Sequence, residues 1–256
     1  MNPISNTSRV LISGLVSLSL VAPWAAFAET PLRDKINQGV GGQNFCMNLD
    51  NHVGRLTQML GNKDTRHAER KTNRDQKIGD HRSTVDQKRV SVRSNVDVRM
   101  GDRYTKLEAR ADTDAEKAAV VTFRAAVNAA LAARRTAVDA AVSEYRTAVD
   151  AKLSLRRTAV DAAIDAFQVS VDVATTKART DCTAGVDPKT VREAFLASLK
   201  TARDTLKAAV EDGKVRAEIK VLADTRNQKI KAANDTFKTS FKAALDALKA
   251  VFGEDN

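Results

Sequence analysis

The chain has 256 residues, with 42 Lys and Arg against 32 Asp and Glu, 2 Cys, 1 Trp, 11 Gly and 4 Pro. Aromatic residues are 4% of it, and Ala and Val supply most of the 43% that is hydrophobic, so the large side chains that fill a thick core are scarce. Strand-rich folds need frequent turn residues, yet the prolines stand only at 3, 23, 31 and 188; this argues against a sandwich, a barrel or an α/β enzyme fold and for long helix.

Arg9 is the only charge in the first 28 residues. The run from Val10 to Ala28 is uncharged, Pro23 breaks it, and Ala26-Phe27-Ala28 suits the small-x-small cleavage rule. We expect residues 1–28 to be a signal peptide cleaved after Ala28, which places the mature chain in the periplasm or outside the cell. The alternative is an uncleaved anchor in the inner membrane, because 19 uncharged residues nearly span a bilayer. Residues 29–45 read as a short segment with a helix start at Thr30-Pro31, followed by the loop Gly39-Val40-Gly41-Gly42. No strand precedes that loop, so it is a weak anion cradle, and no role is assigned to it.

A first helix is expected over about 46–111. Lys71 to Asp75, Arg82 to Asp86 and Arg93 to Asp97 recur at steps of 11 residues, and Val85, Val96 and Leu107 form an apolar row. Between Gly61 and Lys77 the only apolar side chain is Ala68, so this stretch reads as a solvated single helix, a frayed one or a disordered one. Asp112-Thr113-Asp114-Ala115-Glu116 follows. Thr113 with Glu116 is a capping box that ends one helix and starts another.

The second helix is expected over about 113–182. Arg135-Thr136-Ala137-Val138-Asp139 returns at Arg146 and again at Arg157, with weaker copies at Arg124 and Gln168, always 11 residues on. Val127, Val138, Val149, Val160 and Val171 form one row, and Leu131, Val142, Leu153 and Ile164 a second. A third row alternates Phe123, Arg134, Tyr145, Arg156 and Phe167. These spacings keep one stripe on one helix face. A period of 11 residues implies a straight or gently right-handed supercoil. The two arginines are expected to lay their stems along the stripe and send their charge to solvent.

Thr183-Ala184-Gly185 is a turn signal, and Asp187-Pro188 opens a third helix expected over about 188–252. Its stripe includes Ile219, Ile230, Phe241 and Phe252, and Gly213 is a candidate kink. Three helices of similar length with short connections predict an all-α fold: an elongated antiparallel three-helix bundle or coiled coil with 11-residue (hendecad) repeats. In that arrangement Cys46 and Cys182 lie at one end of the same helix pair, and export favours a disulfide between them.

No P-loop, dinucleotide fingerprint, nucleophile elbow or zinc-ligand pair occurs, so no catalytic, cofactor or metal residues are expected and the chain reads as a non-enzyme. His52, His67 and His81 read as residues of a solvated face; His67 and His81 are 14 residues apart, too far to share a metal. Asp112 and Asp114 read as capping residues. The Arg and Asp four residues apart in each repeat read as surface ion pairs within one helix.

The first helix carries 15 basic and 9 acidic residues and has the poorest apolar stripe. Arg66, Arg70, Lys71, Arg74, Lys77, Arg82, Lys88, Arg89 and Arg93 form a candidate surface for an anionic partner. Nucleic acid fits an exported chain poorly, and Tyr104 is the only aromatic there that could stack on a base. Three functions compete: a non-catalytic helical rod acting as a structural and interaction module of the cell envelope, a basic holdase-like periplasmic chaperone, and a peripheral binder of anionic lipid or envelope polymer. Small basic exported coiled-coil chaperones are similar to the chain in gross composition. Eleven-residue helical repeats also occur in apolipoproteins and synucleins, which share the period and not the residues. Self-association is a further expectation from the Ala and Val seams.

Overall fold

Ala, Leu, Arg, Lys, Glu and Gln favour helix and few residues interrupt it, and in the computed structural model of the chain the described residues are almost entirely helical. It describes residues 44–212 and 215–253; residues 1–28, expected to be a signal peptide, the helix start expected at Thr30-Pro31, the Gly39–Gly42 loop, Gly213 and the last three residues lie outside the described residues. Among the described residues four helices follow in order: α1 (Phe45–Glu108), α2 (Asp114–Thr183), α3 (Pro188–Asp212) and α4 (Arg216–Phe252). No strand occurs among the described residues.

The ends are set by local chemistry. The Thr113 backbone N–H donates to Glu116 Oε2 at 2.8 Å and the Glu116 N–H donates to Thr113 Oγ1 at 3.2 Å, the two reciprocal bonds of a capping box. Glu116 is held below the usual carboxylate range by those Thr113 donors. After α2, Gly185 takes a φ of 75°, the left-handed conformation that costs a residue with a Cβ about 1–2 kcal/mol. The Val186 N–H then reaches the Asp181 carbonyl at 3.0 Å and the Gly185 N–H the Cys182 carbonyl at 3.2 Å, which is a Schellman stop. Asp187 caps α3 by accepting from the Thr190 N–H at 3.0 Å, with Pro188 in the first turn.

One expected element differs. The third helix, read as continuous over 188–252, is two helices, α3 ending at Asp212 and α4 starting at Arg216. Val215 precedes α4 without a side-chain cap.

The helices divide into two units. The first holds the start of α1, the last part of α2 from Ala163, and α3. Its core includes Phe45, Phe167, Val171, Val191, Phe195 and Leu199. The Phe45 ring lies 5.8 Å from that of Phe195 and stacks on His52 at 5.9 Å. Cys46 and Cys182 meet here at disulfide distance, their Sγ atoms 2.01 Å and their Cα atoms 5.6 Å apart.

The second unit holds α1 from Leu56, α2 as far as Ala162, and α4. Its aromatic cluster gathers Tyr104, Val120, Phe123, Val127, Leu131 and Leu248, with Phe237 and Phe241 packed against it. Phe123 sits between Tyr104, at 6.3 Å, and Phe241, at 6.0 Å. Most members of the two apolar rows of α2 are buried, as their spacing implies. On α1 the row is weaker: Leu107 and Val96 are half-buried, and Val85 is exposed.

Candidate functional site

The polar chemistry of the second unit is concentrated between α1 and α2. From Gly61 to Arg103, α1 contributes no fully buried side chain. Charged residues occupy the places where apolar ones would normally pack. Lys71 Nζ donates to Asp161 Oδ2 at 3.1 Å, and Arg157 of α2 reaches back to Asp75. Eleven residues along, Arg82 grips Asp150 with two bonds of 2.8 and 2.9 Å, and Arg146 grips Asp86 with two of 2.8 Å. A further 11 along, Arg93 grips Asp139 at 2.8 and 2.9 Å, and Arg135 binds Asp97 at 2.5 and 3.2 Å.

In all six pairs the two residue numbers add to 232. That constant is the register of an antiparallel pair. Each Arg…Asp repeat of α2 meets the Lys/Arg…Asp repeat of α1 running the other way, so every repeat gives one cation and takes one carboxylate. The pairs are therefore between helices and not within one. An antiparallel partner offers a fork-to-carboxylate geometry that two positions on the same helix do not. Two more residues thicken the seam: His67 Nε2 lies 3.2 Å from Asp161 Oδ1, and Arg89 bridges Asp139, at 3.0 Å, to Asp86, at 2.5 Å.

The electrostatics follow the contacts. The Arg146, Arg135, Arg93 and Arg82 guanidiniums hold Asp86, Asp97, Asp139 and Asp150, respectively, below the usual carboxylate range. For Asp161 burial pushes upward, and the Lys71 and His67 donors outweigh it. Arg82 and Arg93 are pushed up by the same bonds.

The nine cations expected to face an anionic partner divide accordingly. Lys71, Arg82, Arg89 and Arg93 bind carboxylates of α2. Arg74 is half-buried, its Nε 3.5 Å from the Arg70 carbonyl, and burial and then the nearby Arg156 push its pKa down. Arg66, Arg70, Lys77 and Lys88 are exposed and have no carboxylate in ion-pair reach among the described residues. Arg99 and Arg103, which the sequence reading passed over, share that condition.

The α2 face toward α4 is also polar in part. Arg134 Nε donates to Asn234 Oδ1 at 2.6 Å and its guanidinium lies over the Phe237 ring at 5.6 Å. Tyr145 instead receives a guanidinium, that of Arg226, at 4.5 Å. Arg156 is 7% exposed. Neither Arg134 nor Arg156 sends its charge to solvent as expected, because α1 and α4 cover both sides of α2 here. Of the histidines only His81 is on a solvated face; His52 is stacked and His67 joins the seam.

Among the described residues no group of three His, Cys, Asp or Glu is placed to hold a metal ion. No described helix is long and apolar enough to cross a membrane. Comparison with protein-family models, with curated proteins and with solved structures finds no match.

Proposed function

We propose that the chain is an exported, non-catalytic helical module that serves the cell envelope as a structural and interaction element. The observation that carries this reading is the reciprocal ladder between α1 and α2: the charged residues of both repeat families clasp each other and so hold two helices together. A repeat whose charges face each other across helices specifies register, as charged flanking positions do in coiled coils. The eleven-residue period is thus architectural: each step of 11 brings a cation and a carboxylate back to the seam between α1 and α2.

Export rests on the sequence of residues 1–28 and is supported by the cysteine pair. Cysteines brought to disulfide distance suit an oxidising compartment. In this reading the leader is removed after Ala28 and the two sulfurs are bonded. Intact-mass measurement of the protein recovered from its native cells tests it. The expected mass is that of residues 29–256 less two hydrogens, the latter regained on reduction. A mass that begins at Met1 refutes export by cleavage, and two free thiols refute the bridge. The structural role is tested separately: far-UV circular dichroism of residues 29–256 without lipid or client should show high helicity, and a random-coil spectrum contradicts it.

A further inference from the structure

Four of the cations left over by the ladder fall in one row. Arg66, Lys77, Lys88 and Arg99 are spaced by 11 residues, are all exposed, and have no ion-pair partner among the described residues. Three positions on, Glu69, Asp80 and Asp102 repeat the same step, with Ser91 in the remaining place, and they too are exposed and unpaired. At about 100° per residue both rows lie roughly 140–160° around α1 from the Lys71, Arg82 and Arg93 row that faces α2. Between them run Asn73, Thr84 and Asn95, short side chains that allow another helix to approach.

A bare polyanion would meet the acidic row beside the basic one and be repelled by it. A helix carrying the same two rows in the opposite direction would match three of the four cations with carboxylates. We propose that this face of α1 binds α1 of a second copy of the chain, antiparallel, with paired residue numbers adding to 168. Arg66 then faces Asp102 of the other copy, Lys88 faces Asp80, Arg99 faces Glu69, and each contact occurs twice by symmetry. Thr84 lies on the two-fold axis, Asn73 faces Asn95, and Lys77 faces Ser91. The device is the one the chain already uses between α1 and α2. Exposed ion pairs contribute little individually, so the association is weak and strongly salt-dependent. It does not depend on export or on the envelope role.

Single cysteines added to the full chain with Cys46 and Cys182 left bonded, treated with a short bis-maleimide at low salt, test the register. Thr84→Cys should cross-link to itself. Asn95→Cys alone should not, since its two copies would sit 22 residues out of register, but it should cross-link when mixed with Asn73→Cys. All cross-linking should disappear in 1 M salt and with Lys88→Asp, and should return in Lys88→Asp combined with Asp80→Lys. Circular dichroism of each variant confirms that it is folded. Equal cross-linking of Thr84→Cys and Asn95→Cys, or none by any pair, overturns the proposal. A monomer in sedimentation that binds anionic vesicles through Lys88 also overturns it and assigns the face to an anionic surface instead.

Discussion

At the residue scale the aromatic cluster and its neighbours explain the alternation in the third row of α2. Arg134 meets Phe237, and Tyr145 meets Arg226. Each aromatic–cation contact adds about 0.5–1 kcal/mol when partly exposed. The recurrence of aromatics every 22 residues is visible in the sequence. The partners of Arg134 and Tyr145 are not, because they lie on α4, at Phe237 and Arg226, far along the chain. Phe123 is 6% exposed and lies between two other rings. Phe123→Ala should cost about 3–5 kcal/mol, the ordinary loss for a buried ring replaced by a methyl group. Urea unfolding measures it, and a loss below about 1 kcal/mol would mean that the cluster is not a core.

At the scale of the element, α1 is the instructive case. The sequence shows Ala68 as the only apolar side chain from Gly61 to Lys77, yet the helix runs through without a break. Ion pairs to α2 take the place of apolar contact. Both sets of repeats were legible, and so was the Arg-to-Asp spacing of four. What stayed hidden was that an antiparallel partner with the same spacing is its own complement. The 31 residues from Arg93 to Arg124 are not a multiple of 11, so the step does not carry directly from α1 into α2. Across a reversal of direction, however, positions match by their sum and not by their difference, so no phase was lost.

Two predictions belong to this element. The depressed carboxylates make folding favourable above the unfolded Asp pKa of about 3.9, and that contribution disappears as pH falls through the lower folded values. Amide protection in residues 61–97 should therefore drop below about pH 4, and in 1 M salt, while that around Phe123 and Val127 persists. Hydrogen exchange followed by mass spectrometry reads both; uniform loss along α1 and α2 contradicts the ladder. Gly79 lies within α1 with open space where a Cβ would stand. Gly79→Ala should raise stability by about 0.5–1 kcal/mol in thermal unfolding, and destabilisation would show a contact at that position.

At the scale of the whole molecule, the helix ends at the capping box and the Schellman turn were legible because each is encoded by a few adjacent residues. The division of 188–252 into α3 and α4 was not, since Gly213 alone signals a bend as readily as a stop. The cysteine pair was foreseen from the antiparallel arrangement. Bonded, it closes 136 residues of chain, and in the chain-entropy account its reduction should cost about 5 kcal/mol. Denaturant unfolding with and without reductant measures that loss, and an unchanged midpoint would remove the bridge from the stability of the fold. The central claim is the reciprocal pairing of the repeats, and charge exchange at one rung tests it most directly. Arg82 and Asp150 bind each other with both guanidinium nitrogens. Arg82→Asp and Asp150→Arg should each lower the thermal midpoint, and the double variant should recover most of the loss, with a coupling of at least about 0.5 kcal/mol. Additive losses in the double variant would contradict the ladder and the account built on it.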